Sequence, residues 1–359
     1  MIQPKPLKKH NALCPFPWLI ALLVGLIVIG LLFFVRTNRY IEVPGGANSL
    51  KPFVKVEGIK DDKKGTYMLT TVGIIGPASP AELLWGKFQP YSETYTQEEL
   101  MGDDDSDEYN LLQEWYITSA ANNAVVAAFK AAKQPVTLKL KGIYVMSIMD
   151  TSAFKDKLKL GDTITAVNGK SYTSSDAYIK AIGAHKVGDT VTLSILRDGK
   201  KLTETGKLTK LPGEKHPGIG ISLTENTTVT STPKVTIDAG DIGGPSAGLM
   251  FAVQTYTMIT HQDWRNGQKI AGTGTIDAKG NVGQIGGIDK KVYICSKSGA
   301  KVFFAPDEPA TKALLKLDPT YENNYDVAVR TAKQLKSKMK IVPVKTLQDA
   351  LDYLKAHAK

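Results

Sequence analysis

Cysteine is nearly missing from this chain of 359 residues: only Cys14 and Cys295 occur, so a disulfide-framed fold is excluded. Metal motifs are missing too. There is no HExxH and no paired CxxC, which leaves a metal mechanism without ligands and predicts no metal site. Neither G-x-x-x-x-G-K-[ST] nor G-x-G-x-x-G occurs, so no cradle for a nucleotide phosphate is marked and no cofactor is expected. No basic patch is interleaved with aromatic residues, so nucleic acid is not an expected partner. Internal repeats and low-complexity tracts are absent as well.

Charge and length bound what is present. The net charge is +10, and residues 1–40 supply five basic groups with no acidic one, leaving +5 for the rest. A modestly basic remainder suits an anionic cell envelope. Residues 15–35 are a run of 21 without a charge, long enough to cross the hydrocarbon layer as a helix, with Trp18 near one end. The run is too long for the apolar region of a cleaved signal peptide. Phe33-Phe34-Val35-Arg36 also offers no small-residue cleavage site, so a retained signal anchor is predicted. Lys5, Lys8 and Lys9 precede the run while Arg36 and Arg39 follow it. The positive-inside rule then leans towards residues 1–14 in the cytoplasm and the rest outside the cell membrane. Cys14 and Cys295 would lie on opposite sides, unable to pair.

Strands are expected at 53–56 and 65–72, and a long helix over 109–133, ended by Gln134-Pro135. Residues 101–108 hold five acidic groups but lack the glycine and terminal glutamate of a calcium loop, so a solvated loop is expected. Residues 138–212 read as a separate unit. A strand at 142–148 precedes LKLGDTITAVNG at 158–169, then a helix over 175–184 and a strand over 190–197. From 216 onward strands and helices alternate.

The chemistry concentrates at two places. Gly243-Gly244-Pro245-Ser246-Ala247-Gly248 puts a serine at a turn opening an apolar helix. Pro245 suits the first helical turn, and the N–H groups that follow favour an oxyanion beside Ser246. Gly243, Gly244 and Gly248 leave room for a substrate backbone. An ordinary serine N-cap fits the same residues. So does the nucleophile elbow of α/β-hydrolases, but that fold needs an acid and then a histidine. Only His261, too close in sequence, and His357 follow. Downstream, Ile288, Lys291, Val292 and Cys295 share one helical face. An ammonium there is costly unless it is paired or neutralised, and a neutral lysine can take a serine proton. The plain alternative is a snorkelling surface lysine. Lys290 is expected to be solvated.

The order of elements in 138–212, with LKLGDTITAVNG, resembles a PDZ domain. That likeness implies that Gly142, Ile143, Tyr144 and Val145 cap or pair with a peptide, with Ile143, Val145, Ile179 and Ile182 lining the groove. The alternative is that these side chains are core. GGPSAG followed by TGT at 273–275 and GNVGQIGGIDKK at 280–291 resembles the proteolytic domain of Lon-type serine proteases. With the apolar run and the PDZ-like stretch, the chain resembles the membrane-anchored, PDZ-containing Lon-like proteases of Gram-positive bacteria, a group with a pheromone-processing enzyme. The resemblance implies an α+β fold, with a proteolytic domain like domain 2 of ribosomal protein S5, interrupted by the PDZ domain. Residues 45–137 and 213–359 would form the proteolytic domain. Ser246 would be the nucleophile, Lys291 the general base, and Thr273 would position the lysine. Many Lon proteases carry an aspartate where this chain has Gly243; Asp241 is the nearest. The ATPase module is lacking, which implies ATP-independent cleavage of short or unstructured extracellular peptides. An inactive PDZ adaptor at the membrane surface is the rival reading, and an oligomer stays open.

Overall fold

The computed structural model describes residues 16–102 and 105–358. The expected cytoplasmic stretch 1–14, Pro15, Asp103 and Asp104 lie outside the described residues. Two compact units result, one holding residues 16–43 and 73–102, the other 44–72 and 105–358.

The first unit begins with helix α1 (Phe16–Phe34), whose large apolar side chains from Trp18 onward are exposed. Among the described residues no helix is long and apolar enough to cross a membrane, so the expected span is not established. The chain then forms strands β1 (Arg39–Ser49), β2 (Val54–Val56), β3 (Thr66–Ile75) and β4 (Glu93–Thr96), with helices α2 (Pro80–Gly86) and α3 (Gln97–Met101). A capping box starts α2: Ser79 accepts from the Glu82 N–H while Glu82 reaches back to the Ser79 N–H. In this unit β4 pairs antiparallel with the start of β1, Arg39 opposite Thr96.

The second unit opens with α4 (Ser106–Ala131). Asp105, from the expected acidic loop, caps it by accepting from the Asp107 and Glu108 N–H groups, and those two acids sit favourably in the first turn. Next come β5 (Val136–Ile148), β6 (Thr163–Val167), α5 (Ser175–Gly183), β7 (Thr190–Arg197) and β8 (Lys200–Lys207). The two-residue strands β9 (Thr209–Lys210) and β10 (Pro217–Gly218) pair with each other, and β11 (Ile221–Ser231) follows. These make a five-stranded antiparallel sheet in the order β11-β5-β6-β7-β8. It has a core of its own, including Ile143, Val145, Phe154, Ile164, Tyr178 and Leu193. The sheet therefore runs beyond the expected limits of 138 and 212. β11 lies along β5 from Ile221–Ile148 to Ser231–Val136, and both strands need that ladder to satisfy their backbone groups.

The remainder adds β12 (Val235–Ile237), α6 (Gly248–Ile259), β13 (Lys269–Gly272), β14 (Thr275–Ile276), β15 (Val282–Gly283), α7 (Ile288–Lys297) and β16 (Val302–Pro306). Helices α8 (Lys312–Leu317) and α9 (Asn324–Gln334), strand β17 (Lys340–Val344) and helix α10 (Leu347–Ala356) end the chain. Strands β17, β16, β13, β3 and β1 line up in that order, with β13 parallel to β3 and β16. Successive side chains leave a strand on opposite faces. Ile270 and Phe304 accordingly join the cluster under α4, α6 and α10, while Ala271 and Phe303 join the one under α7 and α9. α6 is buried on almost every side, which is why its sequence is apolar without a polar stripe. The mixture of this sheet, its covering helices and the antiparallel sheet is the α+β class expected.

Candidate active site

Ser246 lies in a single 3-10 turn, Pro245–Ala247, that runs straight into α6. Gly244, at φ +84°, bends the chain into this turn, and its N–H donates to the Gln113 carbonyl of α4 at 2.8 Å. A Cβ on Gly243 would stand 2.6 Å from the Gln113 Cβ. The two glycines thus admit α4 close against the serine turn. The turn is fixed from a second side, where the Ser246 carbonyl accepts from the Gly274 N–H at 2.9 Å and from Thr273 Oγ1 at 3.0 Å.

Lys291 comes from α7, which starts at the left-handed Gly287. Ile288, Val292 and Cys295 are buried beside it, as the helical spacing requires. The lysine is 3 % exposed, and its Nζ lies 2.7 Å from Ser246 Oγ and 3.3 Å from Thr273 Oγ1. Thr273 is wholly buried, with its N–H donating to the Phe304 carbonyl at 3.1 Å. Three side chains from three elements converge: the serine partly exposed, the lysine and threonine behind it. Burial pushes the Cys295 thiol up, with the Lys291 charge acting weakly the other way, so the thiol is protonated at neutral pH. Asp241 is exposed.

Lys290 departs from expectation. It is 1 % exposed, with Nζ 3.5 Å from Asp289. Helix α7 is covered by α9 as well as by the sheet, so a neighbouring position on the helix is buried too.

The expected peptide-pairing strand is also corrected. Gly142, Ile143, Tyr144 and Val145 lie in β5, which pairs with β11 on one edge and β6 on the other, leaving no edge for a peptide. Ile143 and Val145 are core, and Tyr144 stacks on Trp115 of α4 with ring centroids 5.6 Å apart. A Cβ on Gly142 would stand 2.3 Å from the Ile164 carbonyl oxygen, so close strand packing explains that glycine. Ile179 and Ile182 do line a groove, but its other wall is the edge strand β11. The cleft, of about 510 Å³, runs between α5 and Ile219, Ile221 and Leu223. Gly220, at φ +72°, shapes the turn into β11, where a Cβ would meet Ser152 at 2.9 Å. Glu225 closes the far end by accepting from the Ser175 N–H and hydroxyl at 2.9 and 3.1 Å. The alternation of Ile219, Ile221 and Leu223, with Gly218 and Gly220 flanking the first, was the available signal.

Comparison with known proteins matches this architecture. Residues 120–208 match the PDZ domain family, and residues 224–356 match the Lon protease (S16) C-terminal proteolytic domain. The chain is thus similar to a PDZ domain over one stretch and to a Lon-type proteolytic domain over another. More particularly, it is 39 % identical over 64 residues to the periplasmic serine endoprotease DegP of Salmonella typhimurium, covering 18 % of this chain and 14 % of that protein. The identity to DegP of Escherichia coli K12 is 40 % over 63 residues, covering 17 % and 13 %. The chain thus spans about one seventh of the length of these curated relatives. Among solved structures, the PDZ domain of an SdrC-like protein from Listeria monocytogenes is 40 % identical, covers 23 % of this chain and 87 % of that one, and has a TM-score of 0.23. The corresponding domain from Listeria innocua is 36 % identical, covering 23 % and 92 %, with a TM-score of 0.22.

Proposed function

We propose that this chain is a membrane-anchored serine endopeptidase that works through a Ser246–Lys291 dyad on peptides or unstructured segments held by its PDZ domain. The 2.7 Å contact between a buried lysine and a partly exposed serine hydroxyl carries the reading. The neutral amine accepts the hydroxyl proton as Ser246 Oγ attacks the scissile carbonyl carbon. The resulting ammonium returns that proton to the leaving amine as the C–N bond breaks. Water, deprotonated by the same lysine, then releases the acyl group from Ser246. General-base assistance of this kind contributes roughly 10²–10⁴-fold. Pro245 has no N–H, and the Gly248 and Leu249 N–H groups donate to the Pro245 and Gly274 carbonyls, so the developing oxyanion would fall to the N–H groups of Ser246 and Ala247. No step uses ATP.

Anchoring rests on α1. Its 19 residues rise to about 28 Å at ~1.5 Å each, close to the hydrocarbon thickness, and its surface is apolar throughout. The catalytic part would face outward, where secreted peptides, pheromone precursors among them, are the substrates to try first. An activity-based serine probe tests the chemistry: labelling of the intact protein, lost in Ser246→Ala and in folded Lys291→Arg, is the expected result. Arginine keeps the charge but cannot act as the base. No labelling of the intact protein would leave the adaptor reading, and an active Lys291→Arg protein would remove the dyad.

A further inference from the structure

Beside α1 the first unit presents apolar side chains that no core uses. Leu84 is 58 % exposed, Trp85 45 % and Phe88 78 %, at and just beyond the end of α2. Lys87 stands among them, also exposed. Three large apolar side chains within five positions are more than the scattered exposure normal on a protein surface.

Their place is fixed by the way the chain leaves α1. Arg36 Nη1 donates to Glu82 Oε2 at 2.6 Å and to the Pro77 carbonyl at 3.3 Å. The Thr37 hydroxyl and N–H donate to the Ala78 carbonyl at 2.6 and 3.0 Å, and the Ala78 N–H donates to the Arg39 carbonyl at 2.7 Å. The segment that starts α2 is thus clamped to Arg36, Thr37 and Arg39, just after the apolar helix, and α2 packs against α1 itself. Phe34, the last residue of α1, is 82 % exposed and continues the same apolar surface.

From this we propose that Leu84, Trp85 and Phe88 form a second, interfacial membrane contact, seated at the headgroup level of the outer leaflet. This inference rests on the reading of α1 as the anchor. An apolar helix in the bilayer brings its clamped neighbour to the interface, and a tryptophan with flanking aliphatic and aromatic groups suits that zone. Lys87, exposed among them, favours anionic lipid. The contact would hold the first unit against the surface instead of letting it pivot on α1.

The test uses the full chain with Cys14→Ser, leaving the buried Cys295 in place. A polarity-sensitive fluorophore is attached at Phe88→Cys, at Leu26→Cys within α1, or at Lys316→Cys as a water-exposed reference. The protein is reconstituted in vesicles of phosphatidylcholine and phosphatidylglycerol. On reconstitution the probes at 88 and 26 should blue-shift, with shallow nitroxide lipids quenching the one at 88, deep nitroxide lipids the one at 26, and iodide alone the unshifted probe at 316. If the probe at 26 is lipid-quenched while that at 88 is quenched by iodide alone, the interfacial contact is wrong and the anchor stands. If 88 is lipid-quenched and 26 is not, the contact stands and the anchor reading fails. A blue-shifted probe at 88 that neither quencher reaches would place the patch against a second copy of the chain and overturn the proposal.

Discussion

A lysine whose ammonium would be buried beside a serine hydroxyl has two ways to lower its free energy: gain a counter-charge or lose its proton. The second makes it a base. Activity should therefore rise with pH as Lys291 deprotonates and then level, because the neutral form is the competent one; a kcat/KM profile that falls over that limb would contradict this. Thr273 touches both dyad members, through Lys291 Nζ and the Ser246 carbonyl. Thr273→Val keeps the shape but deletes both hydrogen bonds, and the loss of about 1 kcal/mol for the one to Lys291 should lower kcat roughly fivefold with KM little changed, while Thr273→Ser should restore much of it. Farther away, Asp61 and Arg265 form a buried ion pair at 2.5 Å, with Gln254 donating to the same carboxylate. Burial pushes the Asp61 carboxyl up, but the hydrogen bonds from Arg265 and Gln254 and the positive charge outweigh it, and the group ends below its ordinary range. Its stabilising contribution is thus full above the unfolded carboxylate's pKa and is lost as pH falls through the lower folded value. Asp61→Ala leaves Arg265 buried without its partner and should cost about 3–5 kcal/mol, read as a lower urea midpoint at neutral pH; an unchanged midpoint would show that the pair contributes nothing net.

Elements were legible where one period ruled. The strand over 190–197 and the helix over 175–184 sit where they are expected, to within a residue. β1 escaped because Pro44-Gly45-Gly46 reads as a break, yet a Cβ on Gly45 would stand 2.6 Å from Thr71 Oγ1. There the glycine serves close strand approach within a sheet. β11 escaped for another reason. Its ladder partner β5 lies some eighty residues earlier in the chain, and no local pattern tells an edge strand that it will be claimed. That miss displaced the peptide groove by one strand, since the free edge belongs to β11. Ile179 belongs to the groove whichever strand forms the other wall, because it lines the cleft yet is half exposed and packs in neither core. Ile179→Glu should weaken binding of an apolar-ended peptide at least about tenfold, the worth of roughly 1.4 kcal/mol, without altering the far-ultraviolet dichroism. Unchanged anisotropy titrations would mean that the peptide binds elsewhere.

Across the second unit, α4 is the common wall. Its Gln113 backbone holds the serine turn, Asn122 Nδ2 donates to the Thr227 carbonyl of β11 at 3.1 Å, and Trp115 and Leu112 pack on Tyr144 and Met146 of β5. The Ser246 turn and the five-stranded antiparallel sheet therefore share one support, although the serine motif alone would suggest an independent module. Deleting residues 138–212 would remove most of β5 and all of β6, β7 and β8, leaving β11 without its ladder and α4 without the aromatic contacts on one side. Each orphaned backbone group in β11 must find water or another partner, and the exposed apolar face of α4 favours aggregation. Such a deletion should abolish labelling of Ser246 by a serine probe even though Ser246, Lys291 and Thr273 are untouched. Amide exchange should quicken in α4 and in the 3-10 turn. Ile179→Glu, which leaves the ladder intact, should label at the normal rate. If the deleted protein labels normally with protected α4 amides, the catalytic half folds without the PDZ sheet, and the shared wall is a contact of convenience.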